Sequence, residues 1–334
     1  MIHSYAAKNA KAKLEPFKYE PDKLGPWDID VDISHCGLCH SDLHLLNNDW
    51  GISTYPLVPG HEIIGIVKAR GTLVTEIKEG QRVGIGWQRS SCSCCEWCHH
   101  GLEQLCPEQQ ATCLSHYGGF AEKIRTDARF AFPIPDELDS VNAAPLLCGG
   151  ATVFSPLIEH AVCGLTRIGV IGIGGLGHLA LQFANAFGCE VFAFSSSASK
   201  ESEAKAFGAH HFISSSDSRA LKKMHNSIDL LLCCSSASMD FSAFLNVLRP
   251  RGKMCELGVP ADQENKIHPS ELVTKRLTLC GSNIASPSEI RQMLQFAARH
   301  QIEAKTELYK MSEINEVLKK LEANQICYRA VLKN

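Results

Sequence analysis

The residue types able to do chemistry are concentrated between Cys36 and Glu62. There the chain reads Cys-Gly-Leu-Cys-His-Ser-Asp-Leu-His (36–44) and then Val-Pro-Gly-His-Glu (58–62). Cys39, Ser41, Asp42 and His44 bring a thiol, a hydroxyl, a carboxylate and an imidazole within about one helical turn. His61 and Glu62 add a second imidazole and a second carboxylate. Thiolate with imidazole is the donor pair that zinc selects. A third ligand must come from elsewhere, and Cys148, in Leu-Leu-Cys-Gly-Gly, is the candidate. Three protein ligands with a fourth position open make a zinc ion catalytic rather than structural. Cys36 forms C-x-x-C with Cys39, a redox spacing. With His61-Glu62 following, ligation by Cys39 and plain burial of Cys36 is the better reading.

A second cysteine group follows at 91–106. Cys92, Cys95, Cys98 and Cys106 have the spacing C-x2-C-x2-C-x7-C. Four thiolates on one short lobe suit a closed tetrahedral zinc site with no room for substrate. Cys94 breaks the regularity and leaves other registers open. Cys163, Cys189, Cys233, Cys234, Cys255, Cys280 and Cys327 are scattered among apolar residues and read as buried free thiols.

Gly172-Ile173-Gly174-Gly175-Leu176-Gly177 is G-x-G-x-x-G. It follows an apolar strand and opens a helix whose apolar positions (Leu176, Ala180, Phe183, Phe187) keep helical spacing. In that context it is the dinucleotide fingerprint: glycines for the turn and for close approach to a pyrophosphate, and a helix N-terminus to receive it. An NAD-binding chain places an acid at the end of the next strand, to hold the ribose 2′-OH. Here that strand, Val191 to Phe194, runs into Ser195-Ser196-Ser197-Ala198-Ser199-Lys200. Hydroxyls and a lysine suit a 2′-phosphate, so the expected cofactor is NADP(H).

These groups need positioning elements. Residues 1 to about 35, Ile63–Val67 and Gln81–Gly86 read as strands between Gly and Pro turns, with the zinc-type stretch on loops between them. Asp139 to Pro156 is a small-residue, partly helical connector. From Arg167 onward strands and helices alternate, which argues a parallel, doubly wound sheet. Ser288–His300 and Ser312–Asn324 read as helices, and Tyr328–Leu332 as a last strand. The fold class is therefore α/β: a β-rich domain from residues 1–150 and 282–334, and a nucleotide-binding domain from 151–281.

The whole chain is 334 residues, enough for two cores. Its 33 Lys+Arg against 36 Asp+Glu leave no basic stripe for nucleic acid. No apolar run suits a membrane span and no apolar leader stands at the start, so a cytoplasmic protein is expected. Sixteen cysteines without such a leader favour metal ligation over disulfides.

With these residues in hand, the chain resembles the zinc-dependent medium-chain alcohol dehydrogenases, most of all the cinnamyl alcohol dehydrogenase branch with its bacterial broad-range aldehyde reductases. The resemblance rests on CGLCHSDLH (36–44), YPLVPGHE (55–62), the four-cysteine lobe, APLLCGGATVFSPL (144–157), GVIGIGGLGH (169–178), the serine turn with Lys200, and YRAVL (328–332). It implies a GroES-like catalytic domain with an inserted Rossmann domain, two zinc ions per chain, a small aldehyde or alcohol as substrate, and a homodimer. It implies catalytic zinc on Cys39, His61 and Cys148, with Glu62 as a nearby or alternating ligand, and a proton relay through Ser41 and His44. Thr152 would line the nicotinamide site, Arg329 would meet the cofactor phosphates, and Trp87, Asn283 and Ile284 would line the substrate pocket. The segment between Cys106 and Gly118 is shorter than in bacterial and plant members of that branch, and Asn283 stands where the plant enzymes carry an apolar residue. The expected reaction is reduction of an aldehyde by NADPH. The competing readings are an NAD-dependent zinc polyol dehydrogenase and a non-catalytic NADP(H)-binding protein.

Overall fold

The computed structural model describes residues 1–235, 239, 241–259 and 267–334. The chain divides into two compact units, Met1–Ala151 with Ala285–Asn334, and Thr152–Ile284.

The first unit is built on one long strand, Asp28–Leu38, whose period-two pattern buries Ile29, Val31 and Ile33 on one face. The seven-stranded sheet runs in the order Thr306–Lys310, Arg329–Lys333, Asp28–Leu38, Ile63–Arg70, Arg82–Ile85, Ala131–Pro133, with Lys123–Asp127 also pairing to the long strand. Most pairings are antiparallel; Thr306–Lys310 and Arg329–Lys333 are parallel. Sheet pairing thus brings the end of the chain beside Cys36 and Gly37: Leu332 pairs with Cys36 and Val331 with Gly37.

The zinc-type stretch is only partly loop: His61 and Glu62 lie on irregular chain before the strand Ile63–Arg70, but the Cys39 end does not. Cys36 to Leu38 end the long strand, and His40–Asn47 is an α-helix with Cys39 as its N-cap. The alternating pattern of the strand stops at Cys39 because Asp42 takes the Cys39 backbone N–H at 3.0 Å, a local bond that starts a helix. The connector contains a 3-10 turn (Ala144–Leu147) and a helix (Gly149–Glu159), with Cys148 at the break between them.

The second unit carries six parallel strands in the order His211–Ser214, Glu190–Ser195, Arg167–Ile171, Ile228–Cys233, Leu248–Glu256, Thr278–Gly281. This is the doubly wound order with its switch point beside the first strand. That strand stops at Ile171, and the helix starts at Gly177 rather than Leu176. The short helices Ser218–Lys223 and Pro269–Lys275 and the strand His211–Ser214 were not legible in the sequence. They are too short for a period to stand out. Among the described residues no single helix is long and apolar enough to cross a membrane.

Candidate active site

Topology brings Cys39, His61, Glu62 and Cys148 together: one ligand atom from each lies within 4.8 Å of the others. Cys39 is half-buried and the other three are buried. Asp42, itself fully buried, organises the group. Its Oδ2 accepts from the Cys39 N–H, and its Oδ1 accepts from the Gly60 N–H at 3.0 Å. Oδ1 also lies 3.1 Å from His61 Nδ1. A carboxylate facing Nδ1 fixes the proton there and leaves Nε2 as a lone pair. That Nε2 is buried and makes no hydrogen bond. An unsatisfied nitrogen beside two thiols is costly unless something accepts the lone pair.

The two thiols titrate apart: the hydrogen bond with Cys39, and then burial, push Cys148 well above its ordinary range. A hydrogen bond from Cys148 holds the Cys39 thiol well below its ordinary range, against its burial. Burial alone would lower the His61 imidazole, but Asp42 and the Cys148 thiol raise it well above the usual histidine range. A divalent cation satisfies all of these groups at once, so the donors fit zinc.

Glu62 behaves differently from the other donors. Arg329, 5% exposed, pairs with its Oε1, while Oε2 is buried without a partner. Burial pushes the carboxyl up to about 7 although Arg329 pulls it down. Gly37 makes this arrangement possible, because a Cβ there would sit 2.1 Å from Oε2. Arg329, expected at the cofactor phosphates, therefore has the Glu62 carboxylate as its observed partner. The reason is the pairing of its strand with the long strand that ends at Leu38.

Ser41 and His44 share one face of the helix that Cys39 caps, at i and i+3. The Cys39 thiol lies 3.6 Å from Ser41 Oγ. His44 Nδ1 is 2.8 Å from Asp49 Oδ2, and its ring lies against Trp50 with centroids 5.0 Å apart. Trp87 meets His61 edge-on at 4.9 Å and Trp50 at 6.4 Å. The aromatic residues thus wall the helix and the histidine together. The buried Cys113 thiol also faces His61, its ligand atom within 4.8 Å of those of Asp42 and His61. Nothing in the sequence marked Cys113, since its place depends on the chain folding back at 107–117.

The lobe at 92–106 assembles as its spacing predicts. Sulfur–sulfur separations are 3.5 Å (Cys92–Cys106), 3.6 Å (Cys95–Cys98) and 3.9 Å (Cys92–Cys98). Four sulfurs at the zinc–sulfur bond length around a tetrahedron stand about 3.8 Å apart, so this group also fits zinc. Cys94 is exposed and lies outside the set. Among the scattered cysteines, Cys163 and Cys327 are exposed rather than buried, and Cys234 and Cys280 are intermediate. Cys163 lies in the turn after the Gly149–Glu159 helix and Cys327 in the turn before the last strand, where the chain surfaces.

In the second unit Gly172 adopts φ +86°, and a Cβ on Gly177 would meet the Gly172 carbonyl at 1.9 Å. A Cβ on Gly174 would meet nothing within 4 Å. Gly172 and Gly177 thus let the turn close against the start of the helix, and Gly174 keeps the space before the helix open for a phosphate. Gly175 and Leu176 complete the loop, Leu176 as helix N-cap. Lys200 Nζ donates to the Ile173 carbonyl at 2.6 Å, which ties the serine turn to the glycine loop. The Ser197 N–H donates to Ser195 Oγ at 3.2 Å, and Ser197 and Ser199 share a 2.8 Å hydroxyl contact. Ser196 is exposed. Glu190 lies at the far end of its strand, paired with Arg167 and His211, while the other end, at Ser195, leads into the serine turn. Thr152 is buried at the start of this unit, and Asn283 and Ile284 end it.

Residues 25–136 match the alcohol dehydrogenase GroES-like domain, and residues 175–299 match the zinc-binding dehydrogenase domain. The chain is 40% identical to an aldehyde reductase of Synechocystis over 100% of its own length and 99% of that protein. It is 41% identical to a probable mannitol dehydrogenase of Stylosanthes humilis, over 98% of this chain and 95% of that one. A cinnamyl alcohol dehydrogenase from Helicobacter pylori, solved with NADP(H), superimposes with a TM-score of 0.92 at 28% identity, covering 99% of this chain and 97% of that one. The buried thiol–imidazole group, the four-cysteine lobe, the glycine loop and these matches agree, and the chain belongs to the zinc-binding alcohol dehydrogenase family, with a GroES-like domain and a Rossmann domain.

Proposed function

We propose that the protein is a zinc-dependent reductase that converts aldehydes to primary alcohols, reversibly, with NADPH as hydride donor. The observation that carries this reading is the buried, unpaired His61 Nε2, aimed among the Cys39 and Cys148 thiols by Asp42. When bound, zinc supplies a Lewis acid for the substrate oxygen and NADPH supplies the hydride.

The chain's own residues do the rest. Cys39, His61 and Cys148 hold the metal, two thiolates and a neutral imidazole that balance its charge. Asp42 keeps the imidazole in the ligating tautomer. Glu62 stands by as an alternating ligand, and Arg329 holds it in place. Reduction also consumes a proton. Ser41 passes it inward, and His44, held by Asp49, takes it up from solvent. Cys92, Cys95, Cys98 and Cys106 hold the second zinc, whose role is structural.

The glycine loop from Gly172 to Gly177 receives the pyrophosphate. Ser195, Ser196, Ser197 and Lys200 receive the 2′-phosphate, and Thr152 lines the nicotinamide. Trp87, Asn283 and Ile284 are assigned to the substrate pocket on the family resemblance. The same resemblance supports a homodimer. All sixteen cysteines are unpaired, which supports a reducing compartment such as the cytoplasm.

The test is the absorbance loss of NADPH with cinnamaldehyde, run beside NADH and repeated after chelation. Chelator-sensitive turnover that prefers NADPH is expected. Preference for NADH would remove the 2′-phosphate assignment, and no turnover of zinc-replete protein across several aldehydes would remove the reductase.

A further inference from the structure

A third donor group lies away from both clusters of the first unit. His160, Cys255 and Cys280, all in the second unit, bring one ligand atom each within 4.8 Å of one another. The sheet itself creates it. Cys255 and Cys280 are direct partners in the parallel pairing of Leu248–Glu256 with Thr278–Gly281, so their side chains emerge on one face. His160 follows the helix Gly149–Glu159, and its Nε2 lies 3.6 Å from Cys280 Sγ. Cys255 is buried, while Cys280 and His160 are half-buried, which leaves the group a path to solvent.

We propose that His160, Cys255 and Cys280 form a third metal site, for a thiophilic cation such as Cu(I). Metal–sulfur and metal–imidazole bonds at a tetrahedral angle separate sulfur and nitrogen by about 3.6 Å, the spacing of His160 and Cys280. Two thiolates with one imidazole form a soft donor set, which selects Cu(I) and Zn(II) over the hard cations. Burial raises both thiols, Cys280 also raising Cys255, while burial and then Lys253 lower His160. The thiols are therefore poor nucleophiles, and metal uptake displaces their protons.

Lys253 gates the site. Its Nζ lies 3.3 Å from His160 Nδ1 and can donate there, which places the imidazole proton on Nε2, toward Cys280. Ligation through Nε2 requires the proton to move to Nδ1, where it opposes the ammonium. Lys253 accordingly weakens binding through the tautomer as well as through its charge.

The test uses the zinc-replete, reduced protein titrated anaerobically with Cu(I) buffered by bicinchoninate, with zinc content measured at each point. The wild type is expected to take up one equivalent of copper without releasing zinc. Cys280→Ser and His160→Gln should weaken uptake at least about tenfold, with NADPH-dependent aldehyde reduction unchanged as the sign of an intact fold. Lys253→Met should tighten it severalfold. Cys255→Ala with Cys280→Ser should abolish it; if that core substitution fails to fold, the two half-buried positions decide alone. Equal uptake by wild type and Cys280→Ser would overturn the proposal, as would copper uptake that drives the wild type below two zinc ions per chain.

Discussion

The buried cluster and the four-cysteine lobe use overlapping donors in opposite settings. The lobe gathers four thiols from one short segment, with Cys92 and Cys106 fourteen positions apart, and leaves three of them half-exposed. The buried cluster draws Cys39, His61 and Cys148 from a helix N-cap, irregular chain just before a strand and a break between helical segments, and wraps them in other polar groups. The lobe closes on itself with four equivalent ligands. The buried cluster has three matched donors, one carboxylate held back by an arginine, and a histidine fixed from behind. Locality suits a site whose task is to hold a loop. Assembly from distant segments leaves room for a reactant and surrounds it with groups that set charge and tautomer.

The widest separation should come from paired substitutions. Cys148→Ser should lower kcat/KM for aldehyde reduction by at least about 10³-fold, a loss of roughly 4 kcal/mol of transition-state stabilisation, with one zinc lost and the fold retained. Cys98→Ser should also lose one zinc. Its cost falls on stability, read as a lower Tm at about 2 to 4 °C per kcal/mol for a domain of this size, while the folded fraction keeps its turnover. Equal effects on both readouts from both variants would dissolve the distinction.

Arg329→Met tests the held-back carboxylate. It leaves Glu62 buried and unpaired and should destabilise the first unit by about 3 to 5 kcal/mol in denaturant unfolding. Adding Glu62→Gln should recover much of that, since no charge is then stranded. A double variant no more stable than Arg329→Met would show that the stranded charge is not what costs the stability.

Asp42→Asn sharpens the comparison from the ligand's far side. The amide no longer selects the same tautomer, so zinc affinity at the buried site should fall about 10- to 100-fold, measured by competition with a chelator, while the lobe keeps its metal. Gly37→Ala should give the smallest effect. The new methyl group presses on Glu62 Oε2, and about 1 to 3 kcal/mol of overpacking is expected, with kcat changed more than zinc content.

The contrast also accounts for what could be read before the fold was known. Cys92, Cys95, Cys98 and Cys106 were legible because a closed site on a short segment is a matter of spacing, and spacing is sequence. Gly172 and Gly177 were legible because a strand, a tight turn and a helix follow one another along the chain. Asp42 was legible as a carboxylate close to a thiol, whereas its partners Cys39, Gly60 and His61 come from the fold. The stretch at 39–47 was misread as a loop, since one carboxylate bonding to the Cys39 N–H turns a strand into a helix.

Residue types and short-range order determined the domain classes, the donor chemistry and the absence of an acid after the glycine loop. Those follow from periodicity, backbone freedom and ligand preference, which act over a few residues. The tertiary structure alone decided that Arg329 faces Glu62, that Cys113 lies against His61, and that Cys255, Cys280 and His160 meet. Each depends on sheet register or chain reversal between segments far apart in sequence, and no local preference encodes which strand becomes the neighbour.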